Sequence, residues 1–348
     1  MPPSAPVPVS FPAVAAALVL LAGALAPAAG AAQADAARQT RPSLGPLTSE
    51  EGAPLQRLGL TPAMEGVTLT PRGTVRADVW LGYASIWEQD SSSVANVFLD
   101  LERLITAATL RVGVTDRLEL GARATLERTG GGFLDRGVLG FHTIIRTGDR
   151  KRRDYPRDAY GQWLRDADGT LLVDIPDRSV PTLEDVRLFA KTRLLASDDG
   201  RRALGVKVEV RIPTAENTLG SERADVALTV MGRTAWRGFH LHGLVGGTSV
   251  RRSPDLAHVL RTRQWVGMLG AERPLRAGLS VVAQLTGSTQ LLRDFGDHDV
   301  DGAPTNLVCG FVGRTPGGWR WEAALQEDIP PRGPSNDFAL QLSLGRTW

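Results

Sequence analysis

The chain has 348 residues, with 40 Lys and Arg against 38 Asp and Glu and a formal net charge of +2 at pH 7. That balance excludes a strongly basic nucleic-acid surface, and the single cysteine, Cys309, excludes an intrachain disulfide and a cysteine-paired metal site. Length alone permits one or two domains.

Residues 11–29 hold an apolar run, Val14 to Gly23, followed by small residues and Ala32-Gln33-Ala34. This reads as a secretory signal cleaved from residues 1–34, although no Lys or Arg precedes the run. The run is shorter than the ~20 apolar residues that a bilayer helix needs, which disfavours an anchor. No other stretch approaches a membrane helix, so a membrane setting would require strands. Residues 35–73 are polar and rich in Pro and Gly, as in Leu44-Gly45-Pro46-Leu47, and read as a periplasmic or barrel-plugging leader.

From residue 74 to 348 the pattern changes to period two, the signature of strands with one apolar face. Val75, Ala77, Val79, Leu81 and Tyr83 alternate with Arg76, Asp78, Trp80 and Gly82 in the first strand. The second sets Leu104, Thr106, Ala108, Leu110 and Val112 against Thr109 and Arg111, and the third sets Leu118, Leu120, Ala122, Ala124 and Leu126 against Glu119, Arg123 and Glu127. A turn as short as Thr115-Asp116 makes these two antiparallel neighbours.

The connection from Arg128 to Thr182 is the longest, and loops of that length usually carry function. Leu134, Val138, Phe141 and Ile145 are spaced for one helix face, the basic run Arg150-Lys151-Arg152-Arg153 follows, and Asp168-Gly169 marks a hairpin between Trp163-Leu164-Arg165 and Leu171-Leu172-Val173. The basic run suits either a solvated loop or contact with anionic lipopolysaccharide.

The fourth strand opposes Arg187, Phe189, Lys191 and Arg193 to Val186, Leu188, Ala190 and Leu194. The fifth has the cleanest alternation, Val206, Val208, Val210 and Ile212 against Lys207, Glu209 and Arg211. The sixth and seventh flank Arg237-Gly238, with His240 and His242 on the reverse face of the seventh. The eighth is ambiguous, since either Trp265 and Leu269 or Val266 and Met268 could face outward. Strands nine to eleven follow, and the twelfth places Phe338, Leu340, Leu342 and Leu344 on one side and ends on the aromatic Trp348.

Connections after the even strands are short and those after the odd strands are mostly longer, as an even-stranded outer-membrane barrel requires. Ionic residues fall opposite the aliphatic ones, and a charge facing lipid at mid-depth would cost about 2–4 kcal/mol. The reading is therefore all-β: a 12-stranded antiparallel transmembrane β-barrel of the outer-membrane type, monomeric, with a short helix in the long loop between strands three and four. Arg346 is the misfit on the apolar side, near enough to the end for its side chain to snorkel to the headgroups. The expected partners are outer-membrane lipid and lipopolysaccharide, with the barrel-assembly machinery engaging the C-terminal strand.

Four stretches, in order, resemble an uncharacterised family of Gram-negative outer-membrane β-barrel proteins. They are Gly45-Pro46-Leu47, Gly131-Gly132-Phe133-Leu134-Asp135 with Phe141-His142, Pro213-Thr214 to Gly220-Ser221, and Glu327-Asp328. The resemblance implies a barrel with a helical outward loop and implies no reaction. This chain departs from it by inserting the basic run and hairpin after Phe141-His142.

The chemical candidates lie on the polar face. Arg187, Lys191, Arg193, Lys207, Arg211 and Arg233 should face inward on adjacent strands, against Asp185, Glu209 and Asp225. Such a wall would favour anions in a pore; the alternative is a salt-bridge network that fills a narrow lumen. His240 and His242 suit a metal or base only with a third ligand, which no spacing nominates, and His142 with Asp135 suits an outer-face hydrolase that lacks a nucleophile motif. No cofactor is called for. The expectation is a channel or binder for small, anionic solutes, with an outer-membrane lipid or ester hydrolase and a structural barrel with a filled lumen as alternatives.

Overall fold

Period-two patterning becomes a closed wall in the computed structural model, which describes residues 41–93, 95–145, 152–174, 177–212, 224–250, 259–293, 302–329 and 335–348. The wall comprises β1 (Val75–Ser91), β2 (Ala95–Thr115), β3 (Leu118–Gly130), β6 (Arg178–Ala196), β7 (Arg202–Ile212), β8 (Asp225–Trp236), β9 (Phe239–Ser249), β10 (Arg263–Arg276), β11 (Leu279–Ser288), β12 (Thr305–Arg314), β13 (Trp319–Asp328) and β14 (Phe338–Thr347). Each pairs antiparallel with its neighbour, and β1 pairs with both β2 and β14, so these strands leave no free edge. Closure satisfies the backbone amides within the sheet, the condition for a strand-built structure in lipid.

Two further strands, β4 (Gly161–Asp166) and β5 (Leu171–Asp174), form the hairpin of the long connection. They stand outside the twelve-strand circuit: β4 pairs with residues 95–100 of β2, beyond the point where β3 ends against Glu102. Helix α1 (Asp135–Ile145) precedes them, where the sequence spacing places a helix.

The aliphatic face points outward. Leu110, Leu228, Val245 and Leu342 are 51–54% exposed, while Thr109, Thr229, Leu244 and Gln341 beside them are buried. On β10 the ambiguity resolves with Trp265 and Leu269 outside and Val266 and Met268 inside. In water so continuous an apolar band would drive association; around a barrel it matches the hydrocarbon layer.

Val75 and Trp348 exchange backbone hydrogen bonds of 3.1 and 2.9 Å, placing both ends of the barrel at one rim. The short turns share that rim. In the tightest of them Arg237 and Gly238 have φ of 46° and 80°, the left-handed pair that a two-residue hairpin turn demands. Arginines here lie over aromatic rings: Arg237 over Trp236, Arg273 over Phe239, and Arg346 over Trp319 and Trp348 at 5.4 and 5.7 Å. Arg346 thus keeps its place on the apolar side by packing its guanidinium on two indoles. The signal-like segment, Arg150, Lys151, residues 213–221 and most of the Asp-rich loop after β11 lie outside the described residues.

Candidate functional site in the barrel lumen

Residues 41–72 carry too much Pro and Gly to add a strand, and their only helical turn is a 3-10 segment, Pro54–Leu58. Their backbone groups must therefore find partners among side chains. The polar face of the barrel supplies them, and the segment runs through the lumen.

It enters at the short-turn rim, where the Arg41 carbonyl lies 3.0 Å from His240 Nε2 and Leu44 N donates to Glu272 at 2.8 Å. Deeper in, Gln284 binds both the amide and the carbonyl of Leu47 at 3.1 Å, and Thr48 N donates to Glu322 at 2.7 Å. Ser49 and Met64 pair through two backbone hydrogen bonds, closing the base of a loop. At the loop's far end Leu55 and Leu58 pack with Ile86, Leu99, Leu101 and Leu291 in an apolar cluster. On the return, Leu60 N donates to Asp225 at 3.0 Å and Thr70 N to Glu119 at 2.6 Å. The chain then regains the rim beside Gly113, where a side chain would collide with the Pro71 carbonyl.

Charge organises the middle of this path. Glu50 sits 2.6 Å from Arg123, 3.4 Å from Arg57 and 3.9 Å from Arg187. Glu65 sits 2.9 Å from Lys207, 3.0 Å from Arg111 and 3.3 Å from Lys191. Arg57 reaches the wall in the opposite sense, its Nε 2.8 Å from Glu184, and Arg103 binds both Glu127 and the Gly52 carbonyl. All of these side chains are buried or nearly so.

Four of the six cations named from sequence meet in this network. Arg187 and Lys207 share Glu209, Lys191 contacts Glu119, and Arg211 pairs with Asp225 while donating to the Leu58 carbonyl at 3.2 Å. The other two lie at the short-turn rim: Arg193 donates to the Asp116 carbonyl at 2.7 Å and Arg233 to that of Gly200 at 2.8 Å. The Asp185 side chain lies outside the description; the inward acid of this strand is Glu184, which an irregularity in the β3–β6 register at Thr125/Leu126 turns toward Arg57. Arg103, Arg111 and Arg123 were legible by parity with their neighbours. Glu50 and Glu65, in a segment without periodicity, carried no such signal.

His240 and His242 line the lumen too, His242 Nε2 lying 3.0 Å from Glu272. His142 and Asp135 part company: the first faces Glu327 at 3.2 Å, and the second binds Arg152 and accepts from Asp158 N at 2.7 Å. Arg152, read from sequence as part of a solvated or lipopolysaccharide-facing run, is buried against the outer wall near Ser85, Asp337 and the Trp87 ring. Glu102, Asp135 and Asp158 bring carboxylate oxygens within 4.8 Å of one another. Glu102 already accepts from Phe133 N, Leu134 N and the Tyr83 hydroxyl, which fixes the approach to α1.

Burial disfavours the His142 imidazolium, but the Glu327 carboxylate outweighs it and holds the pKa above the ordinary value. A raised pKa means that α1 docking is supported below about pH 6.5, the unfolded value, and loses this support as pH rises through the folded one. Proteolysis at Arg153 should therefore accelerate from pH 6 to pH 8.5 more in the parent chain than in a His142→Gln variant. An identical pH response in both would exclude the pair.

No match was found among curated proteins. Among solved structures, the fold is similar to the COG4313 outer membrane channel from Pseudomonas putida F1, with 14% identity, 81% of this chain and 98% of that one covered, and a TM-score of 0.51. The Pseudomonas putida toluene transporter TodX aligns over 86% of this chain and 98% of that one at 11% identity, with a TM-score of 0.36. The first of these likenesses places the fold with outer-membrane barrels. Residues 22–348 match the family described as "Protein of unknown function (DUF3187)", and the chain belongs to that family.

Proposed function

We propose that the protein is an outer-membrane channel whose own residues 41–72 act as a reversible plug, and that it passes small anionic solutes. The observation that carries this reading is the pair of plug carboxylates among wall cations. Glu50 and Glu65 together contact Arg111, Arg123, Arg187, Lys191 and Lys207. The wall acids Asp78, Glu119 and Glu209 touch the same cations, and Glu184 is uncovered when Arg57 withdraws, so four acids stand against five cations. With the plug displaced, the wall around Arg111, Lys191 and Lys207 keeps a positive excess, and a solute carboxylate or phosphate takes the place of the two glutamates.

Tethering favours reversibility. The plug enters and leaves by the rim at which β1 begins, so it can withdraw without crossing the wall. Reversal potentials in planar bilayers under a KCl gradient test the solute class. Anion preference in the parent, reduced by Lys191→Gln together with Lys207→Gln, is the expected result. Cation preference, or no effect of the two substitutions, rejects an anion path.

A second reading, a structural barrel with a permanently filled lumen, draws on Leu55 and Leu58 being anchored in apolar packing. It predicts a bilayer record without openings in the parent and in any variant that weakens the ion pairs.

A further inference from the structure

Helix α1 rests on the outside of the barrel, not over its mouth. Phe141 packs on Phe338 at 5.3 Å between ring centroids, and His142 faces Glu327. Both partners have the outward parity of β14 and β13, and Phe338 is at the end of β14 remote from Trp348. The helix therefore lies on the lipid-facing wall at the long-loop rim, the level of the headgroups in a spanning barrel.

Its opposite face is not apolar. Arg136, Leu139, Gly140 and Thr143 recur at helical spacing, and with Arg153 and Arg157 of the following segment they line an open pocket of about 480 Å³. Arg153 reaches across it to the Thr143 hydroxyl at 3.0 Å. While Arg152 is drawn into the wall, these three arginines are exposed. Phe133, two residues before the helix, and Ile144, in its last turn, are 71% and 80% accessible. Asp154 and Asp158 are the acids of the same segment, and the Asp158 carboxylate lies with Glu102 and Asp135.

We propose that this pocket binds the phosphate of an outer-leaflet phosphorylated glycolipid, with Arg136, Arg153 and Arg157 on the phosphate and the acyl region against Leu139 and the flanking apolar side chains. Planar guanidinium groups match phosphate oxygens in paired hydrogen bonds, and three of them converge where a phosphate on a lipid anchor must sit. The apolar flank distinguishes a lipid from a free ion. The site is independent of the lumen and stands whether or not the plug moves.

Native mass spectrometry of the mature full chain in detergent, titrated with lipid A, is the test. A parent adduct should weaken at least tenfold in the triple variant Arg136→Gln/Arg153→Gln/Arg157→Gln and with dephosphorylated lipid. Heat-modifiable gel mobility confirms that the variant barrel is folded, and the dephosphorylated lipid tests the same point on the unaltered chain. Equal adduct with the dephosphorylated lipid, or in the folded triple variant, overturns the proposal. Inorganic phosphate binding as tightly as lipid A overturns the lipid as ligand.

Discussion

Glu65→Gln is expected to open the lumen. The carboxylate is within 3.3 Å of Arg111, Lys191 and Lys207, and among the described residues Glu119, Glu209 and Asp78 would remain in contact to offset them. Removing one partner from a buried ion pair typically costs about 3–5 kcal/mol, because the surviving charge is left desolvated. The strand ladders do not depend on this group, so the loss falls on the docking of residues 41–72 while the barrel persists. Longer open times in bilayers, with heat-modifiable mobility retained, are the expected observations. Glu65→Asp keeps the charge and should do less. Unaltered open times in Glu65→Gln would mean that the pairs do not hold the segment in place.

Arg57→Met should act as strongly, through the opposite charge. Arg57 joins the lumenal segment to Glu184 of β6 and also contacts Glu50. Its loss takes the directly bonded cation from the buried Glu184 carboxylate and leaves Arg103 and Arg187 as its nearby charges, at a cost of up to about 3–5 kcal/mol. Pairing it with Glu184→Met removes both charges, and apolar replacement of a buried pair is often neutral or stabilising by about 1–4 kcal/mol. The double variant should accordingly regain the closed state that the single variant loses, read by protease protection of residues 41–72 in detergent. Equal exposure in both variants would assign the effect to lost packing rather than to the stranded charge.

The barrel was legible because lipid imposes period two on every wall strand, and the alternations of β1, β7 and β14 state it plainly. The hairpin and α1 were legible from local signals, Asp168-Gly169 and the 3.6-residue spacing from Leu134 to Ile145. Three things were hidden. The register irregularity that turns Glu184 inward leaves no trace in the alternation. The lumenal course of residues 41–72 depends on side chains that approach from many strands, so no local pattern encodes it. Arg152 resembles its neighbours in a basic run, and only the acids that converge on it from β2, α1 and the start of β14 set it apart. Thus the wall cations could be named from sequence, but their partners could not, because those partners are contacts across a closed ring.

A cross-link tests the central claim most directly. A Cβ at Gly52 would lie 3.2 Å from that of Ala84, a few tenths of an ångström short of the disulfide range of about 3.5–4.5 Å, and 2.7 Å from the Asn336 side-chain oxygen, which must turn aside. Cys309, exposed on the wall, is replaced by serine so that Gly52→Cys and Ala84→Cys are the only thiols. Single-channel recording should then show a closed barrel when the pair is oxidised and openings restored by reductant. Openings of equal frequency in the oxidised and reduced states would contradict a plug that must leave for solute to pass.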